Sequence, residues 1–483
     1  MKSIIAAFLG LLISTISLYA DEASGSLDNS VLMDSTPRAV INAVSNIDRH
    51  YTALYNQGRF NGNILIAVKG EPIYKKSFGY ANKAKGERLT MESTFQLAST
   101  SKPFTAAAIL ILADQGKLKI DDPVTRFYPE FPYKGVTIRH LLCHRSGVPD
   151  YLNYGGSFGK KSYINNQDVV EMMISKRPKA LASPNAVFKY NNSNYALLAA
   201  IVEKVSKESF ADFCRENIFE PLGMKNTWVW HPSQPQRPGQ TYGYNSSWTP
   251  RKPDMFDGVA GDKGVYSTVE DMLLWDQSWY NHTLLKHSTI EAAYEGQTRG
   301  SSGKDYGLGW RMEELSGDKK MIYHNGWWHD YNIVFKRFIH DSITVIIFSN
   351  KYNQSIYNTA VVENALFRNN YFEEKLDQIL YADKVTVPDK KANTTEESNA
   401  SQDVNLNPFN SPVVAEHVQA QPVAEKKAAA APTYYTVKKG DTLFNISQRF
   451  NVTVEMLKKW NKMATANIQL GQRLLIDNLR MND

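Results

Sequence analysis

The composition of the chain changes abruptly over residues 382–432, and this change limits what its 483 residues can fold into. Phe409 is the only aromatic residue of that stretch, in which Ser, Asn, Pro, Ala and Glu predominate. Such a segment cannot bury enough apolar surface to offset the entropy that it loses on ordering. The sequence therefore predicts a flexible linker over residues 379–432, between a large domain at 38–378 and a compact module at 433–478.

The first 20 residues have the pattern of a secretory signal peptide. Lys2 is followed by a nearly uninterrupted apolar run from Ile4 to Leu18, and the small Ala20 precedes Asp21. This order predicts cleavage after Ala20, with a retained membrane anchor as the alternative. The other apolar runs are too short to span a bilayer. We expect an exported protein, in the periplasm, the cell envelope or the medium, without a stable membrane span after signal removal.

Composition and charge exclude several classes of protein. A hydrophobic content of 42% and a charged content of 22% are typical of a globular protein with a sizeable core. Cys143 and Cys214 are too few for a disulfide scaffold, and no Cys-x-x-Cys pair indicates a zinc or redox site; whether the two pair stays open. A net charge of +6 without a basic run favours anionic envelope polymers over nucleic acid as partners.

Strand patterns lie at both ends of the large domain, and helical patterns lie between them. Residues 62–68 and 73–78 predict a hairpin, and residues 320–323, 331–337 and 342–348 predict further strands. Residues 102–115 and 195–205 have helical patterns. The sequence therefore predicts an α+β fold, with one antiparallel sheet built from both ends of the domain and a helical subdomain inserted between them.

Ser99 and Lys102 are the first candidates for catalysis. They stand three residues apart at the start of a helix-forming run, so that Lys102 would lie beneath the Ser99 hydroxyl. A serine hydroxyl is a poor nucleophile unless a neighbouring base removes its proton, and a lysine with a pKa lowered by burial can be that base. Ser-x-x-Lys also arises by chance, so the pair needs further support.

Two further motifs follow in the chain. Tyr190-Asn191-Asn192 precedes a helix, where a loop can present a phenol and an amide. His324-Asn325-Gly326 follows the predicted strand at 320–323, where a glycine lets a substrate backbone approach closely. Each motif is weak alone, but their order and placement form a recognised set.

With these motifs, residues 38–378 resemble the serine β-lactamase and penicillin-recognising family, in its class C-like branch. Residues 115–124, 141–147, 221–224 and 264–271 support the same resemblance. Tyr190 stands where class A enzymes carry Ser-Asp-Asn. The third motif has His324 in place of the Lys of class C β-lactamases, as in the DD-carboxypeptidase and esterase branches. The resemblance implies a β-lactamase/transpeptidase-like antiparallel sheet flanked by helices.

The resemblance also implies roles for four residues of the first two motifs. Ser99 would attack an acyl carbon, and Lys102 and Tyr190 would share the proton transfer as a coupled pair. Asn192 would hold Lys102 and the substrate amide, or else be merely structural.

The third motif would bind the substrate. His324 and Asn325 would contact its acyl or carboxylate side, with a purely structural His324 as the alternative. Gly326 would admit the substrate backbone, and the backbone amides of Ser99 and Trp327 would hold the oxyanion. Trp327 and Trp328, directly after the motif, would narrow the entrance.

Other motifs in the domain are weaker. Gly155-Gly156-Ser157-Phe158-Gly159 matches a nucleophile elbow but has no apolar strand before it. His140 and His144 have the spacing of helical zinc ligands, but Leu141 stands where a metalloprotease needs glutamate. Cys143 between them is expected to be a buried structural thiol. We therefore expect no metal and no cofactor.

The closing module resembles a LysM domain of strand, two short helices and strand (βααβ). LysM modules bind N-acetylglucosamine-containing glycans such as peptidoglycan, and the alternative is a small partner-binding domain. The binding loops correspond to Gly440, Asp441, Thr442 and Leu443 and to the stretch around residues 461–468.

Together these features predict an exported serine hydrolase that acts on peptidoglycan stem peptides through an acyl-enzyme. A DD-carboxypeptidase or related DD-peptidase, held at the cell wall by LysM, is the leading interpretation. A class C-like β-lactamase or an esterase is the enzymatic alternative, and a non-catalytic wall-binding protein is the other. The complete set of Ser99, Lys102, Tyr190 and Asn192 argues against the last.

Overall fold

A computed structural model describes residues 38–297, 304–315, 319–367, 433–437, 446, 454–463, 468–469 and 471–477. These residues belong to two units, one within residues 1–389 and one within residues 390–483. The signal peptide expected at 1–20 and the linker expected at 379–432 lie outside the described residues. Among the helices described, none is both long and apolar enough to cross a membrane.

The first unit is built around an antiparallel sheet. The strands of the first unit, in this sheet and in two smaller ones, are β1 (Gly62–Val68), β2 (Glu71–Phe78), β3 (Tyr80–Asn82), β4 (Glu87–Arg88), β5 (Phe95–Gln96), β6 (Trp228–Val229), β7 (Val265–Ser267), β8 (Lys304–Tyr306), β9 (Arg311–Glu314), β10 (Lys320–Trp328), β11 (Tyr331–Phe338) and β12 (Ile343–Ser349). The second unit has a two-stranded sheet of β13 (Thr433–Thr436) and β14 (Arg473–Asp477). The large sheet has seven strands in the order β2-β1-β12-β11-β10-β9-β8.

Helices connect and cover the sheet. They are α1 (Arg38–Asn56), α2 (Lys102–Asp114), α3 (Ile138–Leu142), α4 (Asn166–Lys176), α5 (Asn192–Ser206), α6 (Phe210–Cys214), α7 (Val269–Asn281), α8 (His287–Ala293), α9 (Ala360–Phe367) and α10 (Val454–Trp460). Short 3₁₀ segments include Ala98–Ser101, Tyr151–Phe158, Met255–Gly258 and Gln354–Tyr357. The expected α+β architecture is confirmed, because β1 from one end of the unit pairs with β12 from the other, antiparallel and with Ile64 opposite Ile347.

Both faces of the large sheet are buried at strand β1. Successive side chains of a strand point to opposite faces, and every residue of β1 is buried. Leu65 and Ala67 belong to the core that contains the apolar residues of α2 and α5, whereas Ile64 and Ile66 belong to a second core with α1 and α9. Burying one such isoleucine is worth about 1.5–3 kcal/mol, so the two layers hold the sheet rigidly. That rigidity matters because β10 carries the third motif.

The third motif lies inside a strand instead of after one. We expected the strand to end at Tyr323, but β10 continues to Trp328 because it pairs with the buried β11 up to Trp328 opposite Tyr331. A two-residue turn joins them, in which His329 and Asp330 both have positive φ angles, of 46° and 65°. Such turns match the twist of a hairpin.

The helix after the second motif also begins earlier than predicted. We expected it from Tyr195, but α5 begins at Asn192. The side chain of Asn191 caps it by accepting a hydrogen bond from the backbone N–H of Ser193 at 2.8 Å. Asn192 is thereby placed in the first turn of the helix.

The second unit has its own small core. β13 and β14 pair antiparallel, and Leu457 of α10 packs with Val437, Ile446, Leu474 and Ile476. The side chain of Asn461 donates to the carbonyls of Leu457 and Leu475 at 2.8 and 2.9 Å, and so joins the end of α10 to β14. The expected binding loop at 440–443 lies outside the described residues.

Candidate active site

Ser99 lies in a strained turn at the start of α2. Its neighbour Ala98 is fully buried and has a φ angle of +51°, a left-handed conformation that non-glycine residues adopt rarely because it is strained. The turn is tied to β7, because Val265 accepts a hydrogen bond from Leu97 N at 2.8 Å and donates one to Ser101 Oγ at 3.1 Å. These contacts present the half-buried Ser99 to a cleft.

Lys102 is fully buried beneath Ser99 and contacts three oxygen atoms. Its Nζ lies 3.2 Å from Ser99 Oγ and 2.9 Å from Asn192 Oδ1, and it donates to the backbone carbonyl of Asp262 at 2.9 Å. Buried polar groups need such partners because an unpaired one is costly. The structure thus brings the first two motifs together around one amino group.

Asp150 orients the amide of Asn192. Its Oδ2 accepts from the backbone N–H of Asn192 at 3.1 Å and from Asn192 Nδ2 at 3.3 Å, which leaves Asn192 Oδ1 facing Lys102. The sequence analysis missed Asp150. The available signal was its position three residues after the stretch at 141–147 that supports the family resemblance.

Tyr190 lies between two basic side chains. Lys102 Nζ is 5.0 Å from the centroid of its ring, and the guanidinium carbon of Arg311 is 4.7 Å from it. The ring of His144 packs against the same phenol, with centroids 4.3 Å apart. Arg311 was also missed by the sequence analysis, since nothing in its spacing relates it to the three motifs.

Strand β10 lies directly against the serine turn. Thr100 Oγ1 donates to the backbone carbonyl of His324 at 3.2 Å. Gly326 packs so closely that a Cβ there would collide with the carbonyl oxygen of Leu97. Glycine is therefore required at this position for contact between the strand and the turn that carries Ser99.

His324 does not reach the cleft. Its side chain is fully buried, with Nε2 3.1 Å from Tyr306 Oη and Nδ1 2.9 Å from the carbonyl of Asn325. Burial, followed by the charges of Arg311 and Lys102, holds the pKa of His324 well below its ordinary value. The structure corrects the expectation that this imidazole contacts substrate, because both ring nitrogens are occupied inside the protein and the ring is shielded from solvent.

The cleft in front of Ser99 has a volume of about 500 Å³. Arg311 supplies positive charge to its wall, whereas Lys263 is paired with Asp262, and Trp327 stands at its rim with 58% of its surface exposed. Its lining residues are Ser99, Leu152, Tyr190, Asn192, Asp262, Lys263, Arg311, Tyr323, Asn325, Gly326, Trp327, Trp328 and Tyr357. Of the eight candidate residues expected in this domain, Lys102 and His324 lie behind this surface and the other six line it.

Trp328 is held by a cluster of ionisable side chains. Its Nε1 donates to Asp257 Oδ1 at 2.7 Å, and His329 Nε2 lies 2.7 Å from Asp257 Oδ2. Within the described ranges, Asp254, Asp257 and His329 form the one group whose donor atoms lie close enough to share a metal. Hydrogen bonds already occupy both oxygens of Asp257, so the group serves to fasten the β10–β11 turn.

The residues of the weaker motifs do not belong to the lining of the cleft. Ser157 lies in the 3₁₀ segment Tyr151–Phe158, without a strand before it. His140 Nδ1 accepts from Thr137 N at 3.3 Å in a capping box, whereas the ring of His144 is buried elsewhere. Cys143 and Cys214 are buried free thiols, and burial raises the pKa of Cys143 to about 11.

Comparison with protein families identifies both units. Residues 45–360 match the Beta-lactamase family, and residues 435–477 match the LysM domain. The chain belongs to the Beta-lactamase family. It is 35% identical over 359 residues to Penicillin-binding protein 4* of Bacillus subtilis (strain 168), which covers 71% of this chain and 77% of that protein. It is 29% identical over 279 residues to a Beta-lactamase of Escherichia coli (strain K12), which covers 55% of this chain and 70% of that one.

Solved structures agree with this family assignment at the level of the fold. A penicillin binding protein from Bacillus halodurans has a TM-score of 0.59 and 24% identity, over 65% of this chain and 98% of that one. A D-amino acid amidase from Ochrobactrum anthropi SV3 has a TM-score of 0.57 and 21% identity, over 68% of this chain and 99% of that one. The Beta-lactamase family unit is therefore joined to a LysM domain in one chain.

Gly326→Ala tests the contact between β10 and the serine turn. The added methyl must push the strand away from Leu97, and a displacement of about 1 Å at a reacting group can cost about 10²-fold in rate. We expect the second-order rate of Ser99 acylation by a fluorescent penicillin to fall by about that factor. Gly156→Ala is the matched control, because no atom lies within 4 Å of its Cβ position. Equal rates for the two variants would contradict the proposed contact.

Proposed function

We propose that this chain is an exported serine hydrolase of the DD-carboxypeptidase or DD-peptidase type, which acts on peptidoglycan stem peptides through an acyl-enzyme. The observation that carries the proposal is the position of Lys102 Nζ, 3.2 Å from Ser99 Oγ and 2.9 Å from Asn192 Oδ1 at the base of an open cleft. The family supports it, since its relatives include proteins named for penicillin binding.

In the proposed reaction, Ser99 Oγ attacks the carbonyl carbon of the scissile bond while its proton passes to the Lys102 and Tyr190 pair. The bond to the leaving group then breaks and the leaving group takes up a proton, which produces an ester on Ser99. Water attacks this ester in the second step and releases the shortened peptide. The backbone amides of Ser99 and Trp327 are proposed to hold the oxyanion.

Arg311 takes the role that the sequence analysis assigned to His324. A DD-carboxypeptidase must recognise the free carboxylate of the last D-alanine, and a neutral, buried histidine supplies no charge for this. Arg311 lines the cleft beside Tyr190, and its guanidinium can bind a carboxylate with two parallel hydrogen bonds. The proposed substrate therefore places its C-terminal carboxylate at Arg311 and its acyl part toward Leu152 and Trp328.

The LysM domain is proposed to hold the enzyme at its substrate. Its core of Val437, Ile446, Leu457, Leu474 and Ile476 lies within residues 433–477. Such modules bind glycans, so attachment to the wall would raise the local concentration of stem peptide at the hydrolase. Export, through the signal peptide predicted at residues 1–20, would bring both units to the wall.

The first prediction for this function concerns the product. Stem pentapeptide incubated with the mature chain should lose its terminal D-alanine, detected by mass spectrometry, and Ser99→Ala should release none. Rapid multiple-turnover hydrolysis of a cephalosporin without D-alanine release would instead favour a β-lactamase. Hydrolysis of simple esters alone would favour an esterase, and no covalent labelling by penicillin or fluorophosphonate would favour a non-catalytic wall-binding protein.

The second prediction concerns the carboxylate. Arg311→Gln should raise the KM for pentapeptide by about tenfold or more, since a charge-assisted hydrogen bond contributes on the order of 1.5–3 kcal/mol. The same variant should change little for a pentapeptide that ends in a carboxamide. Lys304→Gln is a control for loss of charge, because Lys304 is exposed and pairs with Glu313. An equal loss for both peptides would show that Arg311 does not bind the carboxylate.

The third prediction concerns the wall. A shortened chain that ends at Leu380 should keep its turnover of soluble pentapeptide, because the hydrolase core lies before that residue. It should no longer sediment with purified sacculi. Sedimentation equal to that of the full chain would contradict the proposed role of LysM.

A further inference from the structure

His144 is a buried histidine that holds the Tyr190 segment at three points. Its backbone carbonyl accepts from Lys189 N at 2.9 Å, and its Nδ1 accepts from Asn191 N at 3.2 Å. Its ring packs on the intervening Tyr190 ring, with centroids 4.3 Å apart. His144 itself has a φ angle of +58°, which a non-glycine residue keeps only where its surroundings impose it.

The hydrogen-bond partners of His144 determine which ring nitrogen carries the proton. Nδ1 faces two donors, the backbone N–H of Asn191 and the side-chain amide of Asn194 at 3.0 Å, so it accepts. Nε2 must then carry the proton and donate to Tyr306 Oη, 3.2 Å away. The imidazole is therefore a neutral link between the Tyr190 segment and Tyr306.

This series of hydrogen bonds, the hydrogen-bonded chain, continues from Tyr306 to the third motif. Because the Tyr306 hydroxyl accepts from His144, its own proton is free to point at His324 Nε2, 3.1 Å away. His324 then carries its proton on Nδ1 and donates to the carbonyl of Asn325 at 2.9 Å. The backbone carbonyl of His324 in turn accepts from Thr100, the neighbour of Ser99.

Every link of this chain is buried and uncharged. Tyr306 and His144 are each only 1% exposed, and His324 is not exposed at all. The groups around the two histidines that bear or could bear charge are Tyr306 from β8, Arg311 from β9, Lys102 from α2, Tyr195 from α5 and Tyr190. Burial and the two nearby cations hold the pKa of both histidines well below its ordinary value, so neither adds a third positive charge.

We propose that His144 and Tyr306 are positioning residues for the hydrolase. His144 bonds to Tyr306 and Tyr306 bonds to His324, and this hydrogen-bonded chain, in which each proton has a fixed position, holds Tyr190 and links the segments of Ser99, Tyr190 and His324. Its effect on rate rests on the proposed acyl-enzyme function. The chain also explains how a histidine in the third motif can serve a reaction without touching substrate.

The direct test is the tautomer and charge of the two histidines in the full chain. Side-chain ¹⁵N shifts of ¹⁵N-histidine-labelled protein should show two neutral rings from about pH 5 to pH 8, although an unperturbed histidine titrates near 6.5. His144 should be protonated on Nε2 and His324 on Nδ1, with single substitutions assigning the signals. This readout does not depend on activity. Titration of either ring in that range, or the opposite tautomers, would overturn the proposal.

Tyr306→Phe tests the consequence for the reaction. It keeps the ring but removes the hydroxyl that joins the two imidazoles, so Nε2 of His144 and Nε2 of His324 both lose their partner. We expect the rate of Ser99 acylation to fall about tenfold or more, because the segments of Ser99, Tyr190 and His324 are then held less precisely. KM should change much less than kcat, because neither Tyr306 nor His324 lines the cleft that would hold the substrate.

Two other variants separate positioning from stability. Tyr128→Phe removes another buried tyrosine hydroxyl, which donates to Ala200 at 3.0 Å away from the motifs, and should match the wild type in rate and pH profile. His144→Asn suits a positive φ and keeps an acceptor for Asn191 N, but cannot reach Tyr306, so it should behave like Tyr306→Phe. A Tyr306→Phe enzyme that matches Tyr128→Phe would overturn the proposal. Absence of acylation in the wild type would instead refute the proposed function, while the ¹⁵N shifts would still decide on the chain.

Discussion

The burial of the Lys102 amino group is the constraint on which the rest of the site depends. Removing such a group from water without partners costs on the order of several kcal/mol, so acceptors must converge on it. Here they come from three separate segments: the serine turn, the first residue of α5 and the loop before β7. These three segments therefore meet beside Ser99, and folding itself brings the Ser99 hydroxyl next to the Lys102 amino group.

Around this point the charges are arranged unevenly. Lys102 lies behind the surface, and Lys263 is paired with Asp262 at 3.3 Å, with Tyr151 bridging the two. Arg311 lies in the wall of the cleft beside Tyr190. The neutral His324 therefore need not supply the positive end of the cleft. His324, where class C β-lactamases carry a lysine, takes part in hydrogen bonds inside the protein. Arg311 from the neighbouring strand β9 is a positively charged side chain that faces the cleft.

The sequence predicted the architecture because hydrophobic patterns are local: the strands at both ends and the helix after Ser99 follow from their own residues. It predicted the contact of Ser99 with Lys102 for the same reason, because a spacing of three residues places both side chains on one face of a helix. It did not predict that Arg311, Asp150 or Tyr306 belong to the site. Each is brought there by packing between distant parts of the chain, which the spacing of residues in the sequence does not show. His324 was misplaced for a related reason, since the strand around it is stabilised by pairing with β11 and its side-chain direction depends on that pairing.

The central claim is that Ser99, with Lys102 beneath it, forms a covalent acyl-enzyme. The most direct measurement is to trap the mature chain with a penicillin, digest it and locate the adduct by tandem mass spectrometry. One adduct is expected, on Ser99, and it should be absent from Lys102→Ala under the same exposure. An adduct on Ser157 or on another residue, or equal labelling of the two proteins at Ser99, would contradict it.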